Sequence, residues 1–146
     1  MKSKKQKLAE AHTRYTAKKA GTKPRRGTKD GSIPTHPVVP CPDLSELGKG
    51  GVQDLCYKWL KARRIFCDCH ACGRKGGVLY GIKSSGDIHG YLPDGRGVEI
   101  ECKRGRGGHQ RSGQQERMAL IHNTTAALYF IVHGIPEMEH YFEGLI

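Results

Sequence analysis

The run Ala126-Ala127-Leu128-Tyr129-Phe130-Ile131-Val132 is apolar at every position. Successive side chains of a strand point to opposite faces, so a strand of this composition must be covered on both sides, as inside a sheet packed between helices. Helices for that purpose are legible nearby. Val52, Leu55, Cys56, Trp59 and Leu60 recur at i, i+3, i+4, i+7 and i+8, which is one apolar stripe of an α-helix running to about Arg64. Ser112 to about Asn123 has helical character with Met118, Leu120 and Ile121 as apolar positions, and Ser112-x-x-Gln115 reads as a capping box at its start. Pro136 suits the first turn of a last short helix ending near Leu145.

Four more stretches read as strands: Ile65-Phe66-Cys67, Val78 to Ile82 after a Gly-rich turn at Gly73 to Gly77, Asp87 to Leu92, and Val98 to Arg104. Pro93-Asp94-Gly95 between the last two is the turn signal of a hairpin. From Gly105 to Gly113 the chain is Gly, Arg and polar residues, the composition of a mobile basic loop. The predicted order is α-β-β-β-β-α-β-α, an α/β fold with a mixed central sheet flanked by helices.

The charge is unevenly spread. Residues 1–30 hold 11 basic and 2 acidic residues, against 14 and 12 in residues 31–146, so the net charge of +11 is mostly an arm. With Lys18, Lys19, Arg25 and Arg26, then Pro34, Pro37 and Pro40, and few large apolar side chains, residues 1–40 predict a largely disordered basic arm, helical around Lys5 to Lys19 when bound to phosphate. Residues 41–146 are then the folded domain. A basic chain of this size favours polyanions, because each phosphate neutralised releases condensed counterions, and nucleic acid leads. A tail that only aids solubility is the plain alternative. No apolar run approaches a membrane span and no apolar segment follows the basic N-terminus, so a cytoplasmic, intracellular protein with reduced thiols is expected.

Chemistry concentrates in Val98-Glu99-Ile100-Glu101-Cys102-Lys103. Alternation sends Val98, Ile100 and Cys102 to one face and Glu99, Glu101 and Lys103 to the other. Asp87, on the neighbouring arm of the hairpin, can bring a third carboxylate to that side. Carboxylates gathered in this way repel unless a hard divalent cation neutralises them, and Mg²⁺ accepts such a sparse oxygen site. An ordinary solvated polar face is the alternative.

Gly86-Asp87, Glu101-Cys102-Lys103 and Ser112-Gly113-Gln114-Gln115 together resemble the PD-(D/E)xK nuclease superfamily, most closely its virus-type replication-repair nuclease (VRR-NUC) members, over about residues 50–135. The resemblance implies a restriction-endonuclease-like fold. It also implies that Asp87, Glu101 and the carbonyl of Cys102 hold Mg²⁺ or Mn²⁺, that Lys103 orients or activates the attacking water, and that Gln115 is the family's glutamine. Gln115 as a helix cap would have the same sequence. The literal Pro93-Asp94 falls on the hairpin turn, too far along to sit beside Glu101, so Asp87 is preferred. Where the family places a glutamate early in its first helix, this chain has Gln53, with Glu46 earlier and Asp54 later; Gln53 would be a weaker, neutral partner.

Arg104, Arg106 and Arg111, in the loop after Lys103, are expected to contact backbone phosphates. Glu99 and His89 are auxiliary candidates. Cys67, Cys69, His70 and Cys72 invite a zinc reading, but C-x-C-H-x-C packs the ligands too closely for an easy tetrahedron, and unliganded thiols are preferred over structural Zn²⁺. The function that the resemblance implies is a metal-dependent endonuclease on branched, Holliday-junction-like DNA, from phage or mobile-element replication or repair, acting as a homodimer. The alternatives are a restriction-like or nicking endonuclease on duplex DNA, and a non-catalytic nucleic-acid-binding module.

Overall fold

The computed structural model describes residues 3–21, 30–70, 73–76 and 78–146. In chain order they form α1 (Lys4–Lys19), β1 (Ile33–Pro34), α2 (Val52–Ala62), β2 (Phe66–Cys69), β3 (Gly73–Lys75), β4 (Val78–Tyr80), β5 (Ile88–Tyr91), β6 (Gly97–Cys102), β7 (His109–Gln110), α3 (Ser112–Thr124), β8 (Leu128–Val132) and α4 (Ile135–Phe142). The chain is mixed α/β, and its main sheet has the order β2-β5-β6-β8. β2, β5 and β6 are antiparallel, whereas β8 runs parallel to β6, as the connection through α3 requires.

The apolar strand is covered from both sides. Val52, Cys56, Trp59 and Leu60 of α2 and Met138 and Phe142 of α4 pack with Ile88, Val98, Ile100, Cys102 and Val132 on one face. α3 packs against β8 on the other, above buried Tyr129. The hairpin is closed by a hydrogen bond from Leu92 N–H to the Arg96 carbonyl at 2.8 Å. It sets the register Ile88↔Ile100 and His89↔Glu99, which puts Asp87 opposite Glu101 by continuation. Gly86 permits this approach, since a β-carbon there would sit 3.0 Å from the amide nitrogen and carbonyl oxygen of Ile100.

Four expectations are corrected. Val78 to Ile82 does not join the central sheet: β4 pairs with β3 in a separate two-stranded hairpin. The 105–113 loop contains β7, which pairs with β1, and Gln110 is fully buried. Residues 33–38, expected to belong to the flexible arm, are tied to the domain, for Ile33 is buried and Thr35 and Val38 are hydrogen-bonded to it. Thr35 N–H donates to the Gly108 carbonyl at 2.8 Å, and its hydroxyl lies 2.9 Å from His133 Nε2. Val38 N–H donates to Glu137 at 2.7 Å. Buried polar partners here replace the apolar side chains whose scarcity suggested disorder. Finally, residues 4–19 form α1, which matches the helix expected around Lys5 to Lys19 and not the disorder expected of the arm as a whole, with Lys5 paired to Glu116 at 3.5 Å.

Candidate active site

Alternation along β6 buries Val98, Ile100 and Cys102 in the core and turns Glu99 and Glu101 toward α3. Lys103 follows on the same side, its backbone N–H held by the Val132 carbonyl at 2.9 Å. Glu101 and Lys103 are only 3% and 5% exposed. The Lys103 ammonium donates to Glu101 Oε1 at 2.8 Å and to Gln114 Oε1 at 3.3 Å, while Gln114 Nε2 donates to Glu101 Oε1 at 2.6 Å. Gln114 is fixed in turn, because its Oε1 also accepts from the Arg111 N–H at 2.9 Å at the start of α3.

Asp87 completes the group. Its Oδ2 accepts from the Cys102 N–H at 2.8 Å, and its backbone carbonyl accepts from the His70 N–H at 2.7 Å. Burial and the neighbouring Asp87 charge push the Glu101 carboxyl up to about 7, against the pull of Lys103 and Gln114. Burial also raises Asp87, and Glu46 adds to this, against the Cys102 N–H and Lys103. The cluster therefore holds more carboxylate than its one ammonium balances. Two carboxylates and the Cys102 carbonyl are hard oxygen donors, and that charge imbalance fits Mg²⁺ or Mn²⁺. Among the described residues no group of three or more His, Cys, Asp or Glu is arranged to hold a metal ion, so any ion here would keep most of its ligands from water or substrate.

Several expected residues lie elsewhere. Gln115 is not in the cluster: its side-chain amide donates to the carbonyls of Gly31 and Gln110 at 3.0 and 3.1 Å. The reason is a one-residue shift of the helix start, since Arg111 rather than Ser112 is the N-cap and Gln114 the third helical residue. Gln53 hydrogen-bonds the Cys69 thiol. Glu46, whose carbonyl accepts the Gln53 N–H at 3.1 Å as α2 begins, is the acidic group acting on Asp87. Only the presence of a glutamate shortly before α2 could have pointed to it.

Glu99 is tied up by the Arg117 guanidinium and the Gly86 N–H. Burial opposes its ionisation, but these partners outweigh it and lower its pKa. His89 stacks on His70 with ring centroids 4.6 Å apart, 3.9 Å from Glu99, and burial lowers its pKa. Tyr129, in register with Glu99, has a buried hydroxyl with no hydrogen-bond partner among the described residues, and burial and the site's carboxylates push its pKa up.

Arg104, Arg106 and Arg111 are exposed around the loop that follows Lys103, and Lys18 and Lys19 are exposed at the end of α1. Arg25 and Arg26 lie outside the described residues, as does Cys72. The zinc grouping is not assembled by the others: Cys67 is buried in the core, Cys69 is held by Gln53, and His70 Nε2 accepts from the Ile82 N–H at 3.0 Å. Strand alternation turns Cys67 and Cys69 away from His70. Asp94 sits on the hairpin turn, paired with Arg96 at 2.7 Å. No helix among the described residues is long and apolar enough to cross a membrane.

No protein-family model matches the chain, and no curated protein or solved structure matches it.

Proposed function

We propose that the chain is a metal-dependent DNA endonuclease with a restriction-endonuclease-like fold, of the PD-(D/E)xK and specifically VRR-NUC type. The observation that carries this reading is the convergence of Asp87, Glu101, Lys103 and Gln114 at one end of the sheet, with more carboxylate than the single ammonium neutralises. Hydrolysis of a phosphodiester requires an activated water, a Lewis acid on the phosphate and positive charge matched to the developing phosphorane. A divalent ion held by Asp87, Glu101 and the Cys102 carbonyl would supply the Lewis acid and make water nucleophilic.

The remaining work belongs to the chain. Lys103, held by Glu101 and Gln114, offers fixed positive charge to the phosphate and orients the attacking water. Gln114 sets the spacing of Glu101 and Lys103. The exposed Arg104, Arg106 and Arg111 hold the DNA backbone without reading bases. A homodimer that presents two such sites to one branched molecule extends this reading to junction DNA inside a cell.

The test is incubation of the full chain with linear, nicked and four-way-branched DNA, in Mg²⁺ or in EDTA. Cleavage that needs Mg²⁺ is expected, and Asp87→Asn, Glu101→Gln and Lys103→Ala should each abolish it while DNA binding persists. Binding with no metal-dependent cleavage of any substrate would instead identify a nucleic-acid-binding module.

A further inference from the structure

The sheet face that carries Glu101 is roofed by α3 along β8, whereas Phe66, Asp68 and Tyr91 on β2 and β5 are exposed. The strand registers arrange that face in rows. Phe66, Tyr91 and Gly97 form the first row, and Asp68, His89 and Glu99 the second. By continuation the third holds His70, Asp87 and Glu101. The catalytic cluster and the Phe66–Tyr91 pair are thus opposite ends of one surface. They are four residues apart along β5, or ~13 Å at strand rise.

Phe66 and Tyr91 are 66% and 59% exposed, with ring centroids 6.1 Å apart. Together with Leu120 of α3 they border a groove of about 500 Å³, floored by Asp68, His89 and Glu99. Gly97 has no side chain to cover the Tyr91 ring. On that floor the Asp68 carboxylate is exposed, while Glu99 is bonded to Arg117 and the Gly86 N–H and His89 Nε2 is buried. A second copy of this chain would have to desolvate the exposed Asp68 carboxylate. A nucleobase suits the two rings, since its faces stack on aromatic side chains, and its edge amino and imino groups can donate to the exposed Asp68 carboxylate. Arg117 in the groove is engaged by Glu99, so the charge for the phosphates comes from the exposed Arg104, Arg106 and Arg111 in the loop after Lys103.

We propose that Phe66 and Tyr91 form a stacking platform for unpaired nucleobases of the DNA strand whose phosphate lies at Asp87, Glu101 and Lys103. This deepens and rests on the nuclease reading. It makes the preferred substrate one with bases already unstacked about four nucleotides from the cleaved bond, at roughly 3.4 Å per stacked base.

The experiment places 2-aminopurine in a short unpaired gap at that distance and reads its fluorescence on binding to the full chain carrying Glu101→Gln, so the DNA stays uncut. Quenching is expected. Adding Phe66→Ala and Tyr91→Ala should abolish it and weaken binding to gapped DNA roughly tenfold, while binding to continuous duplex is unchanged. Phe66→Trp with Tyr91→Phe should restore both, which separates loss of the rings from loss of folding. The same quenching in the double alanine variant overturns the platform. So does a dimer-to-monomer shift in that variant with no fluorescence effect, which would make the face an interface between copies. Because the signal comes from uncut DNA, lack of metal-dependent cleavage by the unaltered chain would remove the nuclease reading and leave this measurement standing.

Discussion

The Lys103 ammonium meets the Glu101 carboxylate across 2.8 Å although both side chains are almost fully buried. A buried pair broken from one side leaves an uncompensated charge, which costs about 3–5 kcal/mol. Here the cost should depend on pH, because Glu101, already pushed up to about 7, can escape it by taking a proton. Lys103→Met is expected to cost little at pH 5.5 and about 3 kcal/mol at pH 8. Urea unfolding at the two pH values measures this, and equal losses would show that the lysine stabilises the fold by something other than the pair.

Glu101 also makes the metal-free protein respond to pH in an unusual sense. The folded state keeps a proton that the unfolded chain releases near 4.5, so this contribution is full below that value and is lost as pH rises through about 7. The displacement corresponds to roughly 3 kcal/mol. Asp87, raised by burial, acts in the same direction. Glu99, whose pKa is lowered, contributes in full at and above pH 5.5. His12 and His89, both lowered by burial, oppose the trend through pH 6.5. The Glu101 contribution is therefore the difference between the unaltered chain and Glu101→Gln. In EDTA the unaltered chain should lose more thermal stability between pH 5.5 and 8 than that variant. Mg²⁺ should raise Tm more at pH 8, where the carboxylates are ionised. A Tm that is independent of Mg²⁺ at pH 8 would count against a cation at this site.

Gln114 and Gln115 should separate cleanly. Gln114→Ala removes the amide that links Glu101, Lys103 and the start of α3, so cleavage should fall by about 10²-fold, with a smaller loss of stability. Gln115→Ala removes bonds to the Gly31 and Gln110 carbonyls, so it should lower Tm and leave kcat nearly unchanged. Steady-state kinetics and melting curves on both variants decide the assignment, and the reverse pattern would restore Gln115 to the site.

That exchange marks what the sequence carried. The helix over Val52–Ala62, the hairpin around Pro93-Asp94-Gly95 and the doubly covered strand Leu128–Val132 were legible because each has its own periodicity or turn chemistry. Asp87 was legible because hairpin register follows from the turn. A helix boundary has no such anchor, and an error of one residue, Ser112 for Arg111 as N-cap, exchanged the two glutamines. The segment around Thr35 and Val38 was misjudged for a different reason: its stability comes from His133 and Glu137, about a hundred residues away, which local composition cannot register. Glu46 lies outside any regular element and bears on the site only through the fold.

That long-range clasp is testable. Glu137 is fully buried and accepts from Val38 N–H at 2.7 Å, from His133 N–H at 2.6 Å and from His133 Nδ1 at 2.7 Å. Glu137→Ala leaves these donors without an acceptor, at a cost of about 3 kcal/mol. Amide exchange at Thr35 and Val38 should accelerate with it. Unchanged protection there would mean that β1 and its pairing with β7 hold the segment unaided.

The arm gives the last test. Residues 1–30 hold 11 basic and 2 acidic residues, and Lys18 and Lys19 at the end of α1 are exposed. If these side chains meet phosphates, each phosphate that is no longer neutralised should take ~0.9 from the slope of log affinity against log salt. Deleting residues 1–30 is therefore expected to weaken DNA binding most at low salt and to flatten that slope by several units, while the Mg²⁺ requirement for cleavage stays as it was. Fluorescence anisotropy from 50 to 300 mM salt measures the slope. A parallel line for the shortened chain would show that the arm does not touch the DNA backbone, and the basic residues around Arg104, Arg106 and Arg111 would then have to account for all of the salt dependence.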